Sequence, residues 1–197
     1  MKRKIYRIEL LYFDMSTFKV ILVGDGGVGK SSLVGRHHNG DFDKRYIKTL
    51  GVDVTPLRFH TNYGEMIINI WDCAGDPQFQ GLGDGYYIQA EGAIFAFSLD
   101  SRSSMNNVNH WISKVDKVIK GLPSTIVGLK FDAPREVSSA EFAAKFSKTA
   151  MALYEISSKT SYNFEKPFLS LLRKMSHHED LVFVSTPISP SYMQSNL

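Results

Sequence analysis

The run Gly24-Asp25-Gly26-Gly27-Val28-Gly29-Lys30-Ser31 fits G-x-x-x-x-G-K-[ST] and constrains this chain more than any other stretch. It follows the apolar run Phe18-Lys19-Val20-Ile21-Leu22-Val23, which reads as a buried strand stopped by Gly24. Residues 30–38 then read as a helix, so strand, tight loop and helix start arrive in the order that a phosphate-binding loop needs. The glycines let the backbone bend and aim its N–H groups at phosphate oxygens without side-chain obstruction. The helix start adds the positive end of its dipole. Lys30 is expected to reach the outer phosphates, as a binding and catalytic residue, and the Ser31 hydroxyl to bind Mg²⁺. The nucleotide-contacting stretch is thus Asp25, Gly26, Gly27, Val28, Gly29, Lys30, Ser31 and the following Ser32.

Downstream, short β-rich runs alternate with helical ones. Strands are predicted at 53–60, 65–71, 93–99, 124–129 and 153–157, and helices at 103–120, 139–150 and 162–176, with an extended piece at 181–185. With the first strand this predicts an α/β fold of P-loop type, a mostly parallel six-stranded sheet with helices on both faces. Residues 18–185 read as one domain, 1–17 as an N-terminal extension and 186–197 as a short tail.

Charge and cysteine content narrow the function classes. Of 197 residues, 23 are Lys or Arg and 20 Asp or Glu, a net +3. Residues 1–20 hold five basic groups (Lys2, Arg3, Lys4, Arg7, Lys19) against two acidic ones (Glu9, Asp14), so the remainder is neutral and no basic face for nucleic acid is expected. The single Cys73 cannot form an intrachain disulfide and reads as a small buried residue, and no Cys/His pattern has zinc spacing. No apolar run is long enough to span a bilayer. Lys2 and the cysteine-free end Gln194-Ser195-Asn196-Leu197 predict no lipid anchor, so a soluble monomer is expected. The pairs His37-His38 and His177-His178 read as surface residues, and Trp71 and Trp111 as packing.

A phosphate loop alone does not separate kinase, ATPase and GTPase. Asp72-Cys73-Ala74-Gly75 follows a predicted strand, placing a carboxylate at a strand end for an outer-sphere Mg²⁺ contact through water and the Gly75 N–H within reach of a γ-phosphate. Here the chain resembles the Ras-superfamily small GTPases, and within them the Ran branch of nuclear-transport GTPases. The matching stretches are GDGGVGKSSLV, TLGVDVTPLRFHTNYG, WDCAG, GDGYYIQAEGAIFAF and EISSKTSYNFEKPF. The resemblance implies the small-GTPase fold, GTP/GDP and Mg²⁺ as ligands, and a switch between two loop conformations. It makes Thr49 a Mg²⁺ ligand of switch I, Tyr46 a cover over the phosphates and Phe42 an aromatic near the guanine. Residues 75–86 become switch II, and Ser157, Ser158 and Lys159 the loop that meets the guanine O6. Implied partners are transport receptors, an exchange factor and a GTPase-activating protein, and the implied location is nucleus and cytoplasm.

Departures from the family pattern fall on functional positions. The base-specificity motif N-K-x-D stands as Leu129-Lys130-Phe131-Asp132. Asp132 can still accept from the guanine N1–H and amine, and Lys130 can lie along the base, but Leu129 lacks the amide that ties this loop to the phosphate loop. Asp76 replaces the water-positioning glutamine, so slow hydrolysis is expected. Gly83 stands where the family has a switch II arginine. Two alternatives stand beside the switch: a GTP-held scaffold or decoy for Ran partners that hardly hydrolyses, and a P-loop kinase.

Overall fold

Along β1 (Thr17–Val23), Val20 and Leu22 point into one hydrophobic cluster while Ile21 and Val23 point into another, as alternate residues of a strand must. A central strand buried on both faces needs cover on both sides, and the helices supply it. The structure is a computed structural model that describes residues 16–40 and 47–185. Phe42, Tyr46, the basic residues of the N-terminal extension before residue 16 and the tail 186–197 lie outside the described residues.

The chain runs from β1 through α1 (Lys30–Asn39) to the hairpin β2 (Val52–Thr61) and β3 (Gly64–Cys73). It continues as β4 (Gly92–Ser98), α2 (Arg102–Asp116), β5 (Ser124–Leu129), α3 (Ser139–Phe146), β6 (Ala152–Glu155) and α4 (Lys166–Ser176). The six strands lie in the order β2-β3-β1-β4-β5-β6, with only β2 antiparallel to its neighbour. Helices α1 and α4 pack Leu33, Phe168, Leu171 and Leu172 against one face, and α2 and α3 pack Val108, Trp111, Phe142 and Phe146 against the other. This is the predicted mostly parallel α/β sheet covered on both sides.

Several boundaries differ from the sequence reading. Helix α2 stops at Asp116 rather than 120, where turns lead to Gly121 at φ 73. Helix α3 ends at Phe146, and Thr149 N–H closes onto the Phe146 carbonyl instead of continuing it. Helix α4 starts at Lys166 rather than 162, because Ser161 and Asn163 hold positive φ and Pro167 fits only a first helical turn. Pro56 is tolerated in β2 because that strand lies at the sheet edge. The extended piece near 181–185 runs beside the end of β2, with Asn62 donating to the Val182 carbonyl and Val184 donating to His60.

The histidine pairs are not simply surface residues. His37 lies on α1 among the rings of Phe59, Phe164 and Phe168, at 4.7, 5.2 and 5.3 Å between centroids, and its Nδ1 is buried without a partner among the described residues. His178 stacks on Tyr63 at 3.9 Å, while His177 closes α4 at φ 58. Adjacent side chains diverge, as expected, but one of each pair turns inward onto an aromatic. Burial pushes the His37 imidazole down to about 4, so the unfolded chain binds the extra proton between that value and the ordinary 6.5. Stability from this site is therefore present above pH 6.5 and is lost as pH falls towards 4. His37→Leu is expected to flatten the acid side of a melting-temperature profile over that window, and an unchanged slope would contradict this.

Candidate functional site

Strands β1 and β3 are parallel neighbours with Leu22 opposite Asp72, so their C-terminal ends deliver the phosphate loop and Asp72 side by side. This is where open parallel sheets bind ligands. Gly24 lies so close to β4 that a Cβ there would clash with the Ala96 carbonyl oxygen. At Gly75 a Cβ would come within 2.4 Å of three backbone atoms of residues 24–26. Both positions demand glycine for close backbone approach. Gly75 thereby seats the start of the 75–86 segment directly on the phosphate loop.

The Lys30 side chain is only 6% exposed, and its ammonium donates to the Gly24 and Asp25 carbonyls, both at 2.8 Å. Burial lowers its pKa, while the nearby Asp72, Cys73 and Asp25 charges act in the opposite sense. Ser31 opens α1; its hydroxyl donates to an Asp72 carboxylate oxygen at 2.5 Å and lies 3.0 Å from the Thr49 hydroxyl. Three residues from three separate segments thus bring hard oxygen donors together. Burial pushes the Asp72 carboxyl up to about 6 against the pull of Ser31 and Lys30, and its second oxygen, Oδ1, is buried without a partner among the described residues. A divalent cation would relieve that buried charge. Oxygen donors and an orphaned carboxylate atom fit Mg²⁺, with Ser31 and Thr49 as direct ligands and Asp72 behind them through water. The neighbouring Cys73 is buried and its thiol pushed up to about 12, which makes it inert.

Above this centre opens a cleft of about 930 Å³. Its walls carry the glycines Gly26, Gly27 and Gly29, then Lys30, Ser31 and Ser32, with Thr49, Gly75 and Asp76 on one side. Leu129, Lys130, Asp132, Ser158 and Lys159 form the other end. Four candidates stand off the wall: Val28 sits in the core, Asp72 lies behind Ser31, Ser157 braces Asp132, and Asp25 turns away towards α2. The cleft therefore joins a cationic phosphate end to a carboxylate-bearing end.

At the carboxylate end, Ser157 Oγ donates to Asp132 at 2.6 Å, and Lys159 Nζ lies 3.8 Å from the other Asp132 oxygen. Both oxygens retain a lone pair for the adjacent N–H groups of a guanine edge. Leu129 is buried, with its Cδ1 3.7 Å from the Cβ position of Gly29, so its contact with the phosphate loop is apolar only. Other contacts hold the 129–132 loop. Phe131 N–H donates to the Ile156 carbonyl at 3.0 Å, its ring stacks on Tyr162 at 4.4 Å, and Lys130 pairs with Asp100 at 3.2 Å. The base loops are tied to each other more than to the phosphate loop. Leu129→Asn would restore one or two hydrogen bonds across that gap, expected to slow release of bound nucleotide by about tenfold or more. Unchanged release in a fluorescent-nucleotide chase would contradict this.

Asp76 accepts from the Gln78 backbone N–H at 3.0 Å and caps the short turn Pro77–Phe79. Switch-like segments also meet through Gly51, whose N–H donates to Phe79 and whose carbonyl accepts from Ala74. The sequence reading missed Asn107 and Trp111, which hold Asp25, and the Phe131–Tyr162 stack. Residues 107 and 111 were legible as one face of a helix, but nothing local marks their partner.

The sequence model of the Ras family matches residues 19–177, a span that begins within β1 and ends at the residue closing α4. It takes in the whole cleft and nearly all of the sheet, and the chain accordingly belongs to the Ras family of GTP-binding small GTPases.

Proposed function

We propose that this chain is a Ran-like guanine-nucleotide switch that binds GTP or GDP with Mg²⁺, hydrolyses GTP slowly and acts in nucleocytoplasmic transport. GTP binding belongs to the family; the slow turnover rests on one observation. The side chain at position 76 is a carboxylate already engaged as a backbone cap, so it offers neither a donor nor a neutral face to an attacking water. Bound Mg²⁺ would supply charge neutralisation at the β- and γ-phosphates. Lys30 adds a second positive charge there, and Asp132 favours a base that presents two adjacent N–H donors. The Ran-like assignment rests on the stretches GDGYYIQAEGAIFAF and SYNFEKPF. Transport receptors, an exchange factor and a GTPase-activating protein are the corresponding partners, with the protein acting as a monomer in nucleus and cytoplasm.

Purified, folded protein kept in Mg²⁺ and then denatured is expected to release GTP or GDP, read by chromatography. An empty or adenine-loaded protein would sink the proposal. GTP-loaded protein should also retain a purified Ran-binding transport receptor better than GDP-loaded protein does. The same Asp76 cap favours a second reading, a GTP-held scaffold or decoy for Ran partners. Single-turnover hydrolysis separates the two: slow but measurable conversion marks the switch, and none over many hours marks the scaffold.

A further inference from the structure

Asp25 is the one phosphate-loop residue whose carboxylate faces a helix rather than the cleft. Its two oxygens are separately held: Oδ1 accepts from the Trp111 indole N–H and Oδ2 from the Asn107 amide, each at 2.8 Å. Trp111 is 4% exposed and packed into the core beside Val108 and Val115 of the same helix, so its N–H is a fixed point. An indole N–H donates only, and burial leaves it costly to strand without an acceptor. Asn107 is one turn earlier on the same face of α2. A second cavity, of about 540 Å³, lies beside this contact and is bounded by Asp25, Asp76 and α2.

The backbone of Asp25 does something different from its side chain. Its carbonyl accepts from the Lys30 ammonium at 2.8 Å. A released carboxylate belongs to the same residue whose carbonyl holds that ammonium, so it would be free to turn towards the cation that has to meet phosphate and to compete for it. It would also bring a negative charge nearer an anionic ligand, where repulsion grows as separation falls. Both effects weaken phosphate binding without altering any residue of the cleft wall.

We propose that Trp111 and Asn107 are positioning residues that hold the Asp25 carboxylate away from Lys30 and so keep the phosphate site cationic. The proposal rests on the nucleotide-binding reading but concerns the phosphates, not the base. The test is a double-mutant cycle on ligand release. Asn107→Ala, at an exposed position, and Trp111→Phe are each expected to speed release of labelled GDP by about three- to tenfold. In an Asp25→Ala background, where no carboxylate can be freed, both effects should vanish. Acceleration of equal size in both backgrounds would mean that Trp111 and Asn107 act by packing alone, and so would overturn the proposal. Unchanged release in Asn107→Ala together with Trp111→Phe would overturn it too. The same series with inorganic pyrophosphate, which has no base, separates the two readings. If pyrophosphate binds and guanine nucleotide does not, the guanine assignment fails and the pyrophosphate cycle decides the clamp. If neither binds to folded protein, both fail.

Discussion

Lys30→Met is expected to remove nucleotide binding while leaving the empty protein folded. The ammonium is nearly enclosed, its neutral anchors among the described residues are the Gly24 and Asp25 carbonyls, and burial already disfavours its charge. Removing a desolvated cation lifts that penalty and frees two carbonyls from their donor, effects of opposite sign that should leave stability within about 1 kcal/mol. The ligand has no such compensation. Anionic phosphates would enter a site still backed by the Asp72 carboxylate with the central cation gone, a loss of about 4 kcal/mol or a thousandfold in affinity. Calorimetric titration reads the affinity and a thermal melt the stability. Binding retained within tenfold would contradict the role given to Lys30, and a large fall in melting temperature would assign it to the fold instead.

Asp76→Gln is expected to raise single-turnover GTP hydrolysis by about a hundredfold. Two terms contribute. Two unit charges ~5 Å apart at an effective dielectric of ~20 repel by about 3 kcal/mol, so removing the carboxylate charge beside a γ-phosphate accounts for roughly two powers of ten at most. A glutamine also reaches further and donates, which allows it to orient water. Asp76→Asn separates the terms, because it removes the charge, keeps the length and can still accept from the Gln78 N–H. A rate for Asn close to that of Gln would assign the barrier to charge, and a rate close to wild type would assign it to reach. If neither variant is faster, the proposal that position 76 slows turnover is wrong.

The sheet and the phosphate loop were readable because their signals are local. Val20 to Val23 is an uninterrupted apolar run against a glycine loop, and burial on both faces of β1 follows directly. The oxygen donors that meet near Asp72 were readable in part: Ser31 from the phosphate-loop motif and Asp72 from D-x-x-G at a strand end, while Thr49 came from the family resemblance alone. Helix ends were not: Ser161 and Asn163 adopt positive φ, and Pro167 rather than Tyr162 marks the start of α4. The inward turn of His37 was hidden because its aromatic cage comes from β2 and α4, far along the chain. Asp25 read as a loop residue facing the ligand, since its true partners are 82 and 86 positions away. Long-range polar pairings of this kind have no periodic signature.

The strip that runs beside the end of β2 has a consequence for what can be added to the sheet. Edge strands offer unpaired backbone groups that template another strand. Val182 and Val184 engage Asn62 and His60, which covers the end of this edge from His60 onwards. Among the described residues the remaining edge starts at Val52, next to Gly51 and close to Thr49. Pairing capacity therefore begins within a few residues of Thr49, whose hydroxyl lies 3.0 Å from that of Ser31. An incoming strand that used this edge would report on the state of the phosphate site without touching it.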